Sequence, residues 1–282
     1  IAELALDRKL SVGAPFFNMA FTPFMVVLAL VMPVGAMLPW KRARLMRAIR
    51  PLRGVFLLAI AVGLLAFAMQ SGRSALGPIG LFLGVWLISG TAVDLMTRTG
   101  RGRDRLGRLM RLPRADWGKA TAHSGLGVTM IGIAAMMAWS VEDIRVVQIG
   151  ESYEVAGYSL TLEDVRGVEG PNYQSTMATV RLEKAGVLVA TMFPEKRNYP
   201  VARMPTTEAA IDIGFLRDVY LVIGDPQQGG GWAVRAYYKP LANWIWGGSI
   251  LMALGGALSL SDRRYRVAAG ARKAPIQGVP AE

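Results

Sequence analysis

Five runs without a charged side chain constrain this 282-residue chain more than any other feature: residues 10–40, 54–70 with short extensions, 75–93, 121–141 and 240–261. About 20 apolar residues of helix cross the hydrocarbon core of a bilayer. Inside lipid the backbone must satisfy its own hydrogen bonds, so runs of this length are expected to be helices. The first run is longer than a span requires and contains Pro15, Pro23, Pro33 and Pro39. Its start is expected to approach along the interface and its interior to be kinked, which neighbouring helices tolerate.

A formal net charge of +12 would suggest nucleic acid in a soluble chain, but its distribution argues otherwise. Residues 41–53 hold six Lys/Arg, residues 98–119 eight and residues 263–273 five, together 19 of the 32 basic residues. The loop between the second and third runs has only Arg73. By the positive-inside rule the three basic segments are cytoplasmic, and the N-terminus and the long segment after the fourth run lie outside. Every loop then falls on the side its charge demands, so topology accounts for the basic runs and no nucleic-acid partner is expected. Cysteine is absent, which excludes disulfides and thiolate chemistry on this chain. No initiator Met and no cleavable signal pattern is present, and the chain starts as though cut from something longer.

The composition changes across residues 142–238, which carry nine basic and thirteen acidic residues. Alternation of apolar and polar residues at 153–162, 176–182, 187–193 and 232–238, between turn formers, predicts several short strands. Residues 206–218 include Thr-Thr-Glu-Ala-Ala, which resembles a helix start. Residues 98–114 fit an interfacial amphipathic helix. The expected fold is a mainly α membrane protein: a five-helix transmembrane bundle with a small β-rich domain, a barrel (OB-like among the options) or a sandwich, outside the membrane. Its segments are an outer N-terminal stretch (1–13), four transmembrane helices with basic cytoplasmic loops (14–140), the β-domain (141–238), a fifth helix (239–261) and a polar cytoplasmic tail (262–282).

His123 is the only histidine and lies inside the fourth run, about 8 Å along the helix from Gly118 at 1.5 Å per residue. Ionisable residues at such depth are costly and line cavities, proton paths or cofactors. Three readings stay open: packing glue between helices, a cofactor ligand, or a proton relay. Gly127 and Ala120 leave little side chain above and below the imidazole, as a flat axial partner such as haem requires, while Gly125, Thr129 and Gly132 suit close helix contact. Six-coordinate haem needs a second ligand, from a missing segment, a partner subunit, or a methionine such as Met32 or Met37. The Gly80-xxx-Gly84 spacing predicts close helix packing, and Asp94 can pair with Arg98. In the outer segment, Glu195, Lys196, Arg197 and Arg203 can grip propionates or a partner domain, or form a solvated hairpin. Trp232, Trp244 and Trp246 with Tyr237 and Tyr238 read as an interfacial aromatic belt.

Several stretches resemble the C-terminal part of the CcmF family, the haem lyase subunit of bacterial cytochrome c maturation. They are Lys9-Leu-Ser-Val-Gly-Ala-Pro-Phe-Phe-Asn18, Gly118-Lys-Ala-Thr-Ala-His-Ser-Gly125, Gly170-Pro-Asn-Tyr173, residues 193–212 beginning Phe-Pro-Glu-Lys-Arg, and Trp232-Ala-Val-Arg-Ala-Tyr-Tyr-Lys-Pro240 leading into Trp244-Ile-Trp246. The resemblance implies a complex with CcmH and CcmI in the bacterial inner membrane, taking haem from the chaperone CcmE and attaching it to apocytochrome c. It further implies a haem b between two transmembrane histidines, with His123 as the C-terminal one, reducing the incoming haem iron with electrons from quinol. The tryptophan-rich haem platform and the first histidine of the family belong to its N-terminal part and have no counterpart here. This chain alone is therefore not expected to be an active enzyme. A non-enzymatic docking module of the same complex is the alternative.

Overall fold

The computed structural model describes residues 14–39, 44–72, 74–100, 102–201 and 204–262. The stretch 1–13, Arg203 and the polar tail from residue 263 lie outside them. Six helices are formed among the described residues: α1 (Ala14–Ala36), α2 (Leu45–Met69), α3 (Leu76–Thr99), α4 (Arg105–Met110), α5 (Arg114–Trp139) and α6 (Ala242–Leu260). Four of them, not five, contain segments long and apolar enough to cross a membrane: Met19–Ala36, Leu45–Met69, Leu76–Thr99 and Arg114–Trp139. Helix α6 forms where the fifth run predicts it. Asn243, Trp244, Trp246 and two glycine pairs dilute its apolar character. The amphipathic pattern of 98–114 yields only the six-residue α4, with Pro113 following shortly after it.

Two compact units divide the chain. One comprises Ile1–Val62, Phe82–Val128 and Gly248–Glu282, and the other Gly63–Leu81 and Thr129–Gly247.

In the first unit, Leu52, Ala59 and Trp86 form a buried cluster lined by Val34, Met37, Val55 and Phe82. Phe56 meets Phe82 and Trp86 edge-on at 5.7 and 5.3 Å. Helix α1 runs through Pro23 and Pro33 without ending. The Trp86 indole donates to the Leu30 carbonyl at 3.0 Å, just before Pro33, where the proline interrupts the helical ladder. Glycines let α5 approach its neighbours backbone to backbone. A Cβ on Gly125 would stand 2.6 Å from the Gly248 carbonyl of α6, and one on Gly127 would stand 2.8 Å from the Gly84 carbonyl of α3.

The second unit holds ten strands: β1 (Val141–Val147), β2 (Ser152–Val155), β3 (Tyr158–Glu169), β4 (Gln174–Lys184), β5 (Val187–Met192), β6 (Glu195–Tyr199), β7 (Met204–Glu208), β8 (Ala210–Ile213), β9 (Arg217–Pro226) and β10 (Trp232–Pro240). They form two antiparallel sheets, β1-β10-β9-β8 and β2-β3-β4-β6-β7, with β5 pairing β4. Alternate residues face a shared core: Ala178, Val180 and Leu182 from one sheet, Val219, Leu221 and Ile223 from the other. Of the barrel and the sandwich, the sandwich is formed. Residues 206–218 are strand, loop and strand rather than helical, because β7 pairs with β6 and β8 with β9. Two hairpins turn on Ala-Gly pairs with both residues at positive φ, Ala156-Gly157 (50° and 76°) and Ala185-Gly186 (49° and 77°). That is type I′ geometry, where Asn-Gly is the usual choice.

Gly255 packs against the backbone of α5, its Cβ position lying 2.6 Å from the Gly118 carbonyl, while its neighbour Gly256 faces open space. Gly255→Leu is expected to lower the thermal unfolding temperature of the detergent-solubilised protein, and Gly256→Leu to leave it unchanged. Equal unfolding temperatures would contradict the close-packed α5–α6 contact.

Candidate functional site

Helix α5 begins one residue after Pro113, and His123 stands just over two turns from its start. The imidazole is half-buried, and no hydrogen bond to it is made among the described residues. One turn towards the helix start, Lys119 places its Nζ 2.5 Å from Asp94 Oδ2 on α3. Asp94 is almost wholly buried and also accepts from Arg98 Nε at 3.1 Å, and Arg98 reaches Asp116 at 3.0 Å. Two carboxylates and two cations thus neutralise one another at the ends of α3 and α5. The Asp94–Arg98 pair is legible as an i,i+4 spacing. The partnership of Lys119 is not, because 25 residues and an antiparallel helix crossing separate it from Asp94.

Of the small residues beside His123, Gly125 makes the close helix contact expected of it, and Gly127, expected to leave room beside the imidazole, makes one too. The position above Gly127 is taken by Ile88 and the Gly84 backbone of α3, and Gly125 is closed off by Gly248, Leu251 and Met252 of α6. These glycines hold helices together, and His123, one turn from both Lys119 and Gly127, shares the side of α5 that those residues turn towards α3.

In the β-unit, Glu195, Lys196 and Arg197 lie together on β6. They line or border a polar groove of about 620 Å³ bounded by Glu169, Gln174, Ser175, Asn198 and Asp225. Lys196 Nζ is 2.5 Å from Asp225, and Arg197 Nε is 2.9 Å from Glu195. The Arg197 guanidinium stacks 4.5 Å over the Tyr173 ring, which itself meets Tyr199 at 5.6 Å. Hydrogen bonds that the Arg197 guanidinium donates to Glu195 and Tyr199 hold its pKa well above its usual range, so it stays charged. The Gly170-Pro-Asn-Tyr173 turn needs its glycine, because any Cβ at Gly170 would strike the Tyr173 ring. Arg203 lies outside the described residues. Trp232 stands at the opposite end of β10 from Tyr237 and Tyr238 and so does not join an aromatic belt with them.

Comparison with known proteins places this arrangement. Residues 138–240 match the family described as the CcmF C-terminal beta-sandwich. Over 98% of its length the chain is 59% identical to the cytochrome c-type biogenesis protein ccl1 of Rhodobacter capsulatus, covering 42% of that protein. It is 37% identical to the cytochrome c-type biogenesis protein CcmF of Escherichia coli over 96% of this chain and 41% of that one. The chain belongs to the CcmF family. It spans about two-fifths of the length of these relatives. A solved structure titled Cytochrome c Heme Lyase CcmF shares the fold, with a TM-score of 0.68 at 24% identity over 88% of this chain and 41% of that one. With four candidate spans, this CcmF family member is a multi-pass membrane protein.

Among the described residues of this CcmF chain no cluster of three or more His, Cys, Asp or Glu is present. Asp94→Ala leaves Lys119 and Arg98 without their buried partner. A loss of about 3 kcal/mol is expected, as for breaking other buried pairs. It is read as a lowered unfolding temperature, largely recovered in Asp94→Ala/Lys119→Met. A double variant as unstable as the single one would refute the neutralising role.

Proposed function

We propose that the chain is the haem-holding C-terminal part of a cytochrome c haem lyase, with His123 as one axial ligand of a haem b in the membrane. The observation that carries this is the state of the imidazole. It sits on a membrane helix, half-buried, and the described residues give it no hydrogen-bond partner. Leaving such a group unmatched in an apolar medium is expensive, and a metal bond would satisfy one ring nitrogen. The residues present would supply one ligand, the His123 imidazole. The chain has no second histidine and no cysteine, so a second ligand would come from the rest of the protein, from a partner, or from a methionine such as Met32 or Met37. A bound haem iron supplies a one-electron couple, suited to reducing the haem that is to be attached. This chain's own part is to fix the ligand on a rigid helix: α3 and α6 clamp α5 through its glycines, and the Asp94–Lys119 pair keeps the neighbouring charge balanced.

In this reading the protein sits in the bacterial inner membrane, with its basic segments cytoplasmic and residues 141–238 periplasmic. It works with the N-terminal part of CcmF, CcmH and CcmI, and receives haem from CcmE for apocytochrome c. His123→Ala is expected to abolish the b-type absorbance of the purified complex and the assembly of cytochrome c. An unchanged spectrum would sink the ligand assignment.

One observation favours docking as a second role for the β-unit. The Lys196–Asp225 pair is exposed on its acidic side, and exposed pairs hold by no more than about 1 kcal/mol. A carboxylate from a haem propionate or a partner domain can displace Asp225 at little cost. Charge reversal at Lys196 and Arg197 is then expected to impair cytochrome c assembly while the b-type absorbance persists. Normal assembly in both reversals would remove the groove from the account.

A further inference from the structure

The two ends of the β-sandwich differ in polarity, and the difference follows the strands. Helix α5 ends at Trp139 and β1 starts at Val141, paired with Tyr238 of β10. Strand β10 runs on to Pro240, opposite Arg217 of β9, and α6 follows at once. The starts of β1 and β9 and the end of β10 therefore mark the end of the sandwich joined to the helices. The Trp139 indole donates to the Met69 carbonyl at 2.9 Å, bringing the ends of two candidate spans to one level there. Tyr158, at the start of β3, belongs to the same end: its ring is 6.1 Å from Tyr238, and its hydroxyl accepts from Arg217 at 2.8 Å.

Three turns lie at this end, and none contains a charged or strongly polar residue: Ala156-Gly157, Ala185-Gly186 and Gly214-Phe215-Leu216. The opposite end carries exposed Ile149 and Val201, but its turns also pass through Gln148 and Glu151, through Asn172, and through Gln227 and Gln228. The Ala-Gly turns make the contrast sharper. Both alanines are held at positive φ, which costs roughly 1 kcal/mol or more for a residue with a Cβ, and Asn, the residue that tolerates that conformation, is absent from both. Phe215 and Leu216 are 77% and 63% exposed. Their loop is nonetheless fixed to the start of α6: Leu241 N–H donates to the Leu216 carbonyl at 2.9 Å, and the Trp244 indole to that of Phe215 at 3.0 Å. Lys184 and Lys239, at the same end, lie over tyrosine rings with ammonium groups suited to lipid phosphate.

We propose that this end of the sandwich is a lipid-binding rim, with Phe215, Leu216 and the two Ala-Gly turns seated in the headgroup layer of the leaflet at which α5 ends. An unclamped apolar loop could suit any apolar partner. This one is tied to a helix start and aligned with the ends of two spans, so the surface it meets is the bilayer. Apolar groups seated at this depth lie about 5–10 Å into the headgroup and acyl boundary, and Ala-Gly turns avoid carrying an amide there. The inference does not depend on the haem reading.

The absence of cysteine permits a direct test. Phe215→Cys and, should that variant misfold, Leu216→Cys are labelled with an environment-sensitive fluorophore in the full assembly reconstituted into phosphatidylcholine vesicles. The parent assembly, treated with the same label, is the blank, and Gln228→Cys, at the far end, the control. The expected result is blue-shifted emission at 215 or 216, quenched by shallow spin-labelled lipid and shielded from aqueous iodide, with the opposite pattern at 228. Iodide access at 215 and 216 equal to that at 228 would overturn the proposal. So would shielding from both quenchers, which would place a protein on the rim.

Discussion

Backbone-to-backbone contact along α5 is the constraint on which the helical structure depends. In a bilayer there is no hydrophobic force to drive one apolar helix onto another, so helices associate through close packing and polar contacts. Helix α5 achieves this on two faces. Gly118, Gly125 and Gly132, spaced seven residues apart, meet the backbone of α6, and Gly127 meets that of α3. His123 lies on the same side as Gly127, one turn before it and one turn after Lys119, which pairs with Asp94 of α3.

The same geometry brings the charges together. Antiparallel packing of α3 and α5 sets Lys119 beside Asp94, and Arg98 bridges to Asp116. A buried carboxylate is tolerable here because two cations face it. The network lies one turn from His123, so the charge near the imidazole is balanced by fixed groups. In the β-unit the logic is reversed: a packed apolar core carries the stability, and the ion pairs of β6 sit at the surface, where they are weak and exchangeable.

Much of this was legible in the sequence, for identifiable reasons. Uncharged runs announce helices because lipid permits little else, and α1, α2, α3, α5 and α6 all form within or around them. Period-two alternation announced β4 and β10, whose inward residues share the core. Gly80 and Gly84 signalled close packing, and both pack: Gly80 against Ala134, Gly84 against Gly127. Thr-Thr-Glu-Ala-Ala misled because strand pairing with β6 and β9 overrides a local helix signal. Gly125 and Gly132 signalled close helix contact and make it, whereas Gly127, read as room beside the imidazole, is filled by α3, since a missing side chain reads equally as room for a ligand or for a neighbouring backbone. Tyr173 under Arg197 and Asp225 beside Lys196 had no signal, because both contacts arise only when the strands are paired.

The central claim is that the imidazole of His123 bonds a haem iron rather than merely filling space between helices. Replacing it with glycine removes the ligand and leaves a cavity that free imidazole can enter. The account predicts that His123→Gly lacks the b-type absorbance and regains it when imidazole is added, with no comparable effect of imidazole on the unsubstituted protein. A glycine variant that keeps its b-type spectrum without imidazole would contradict it.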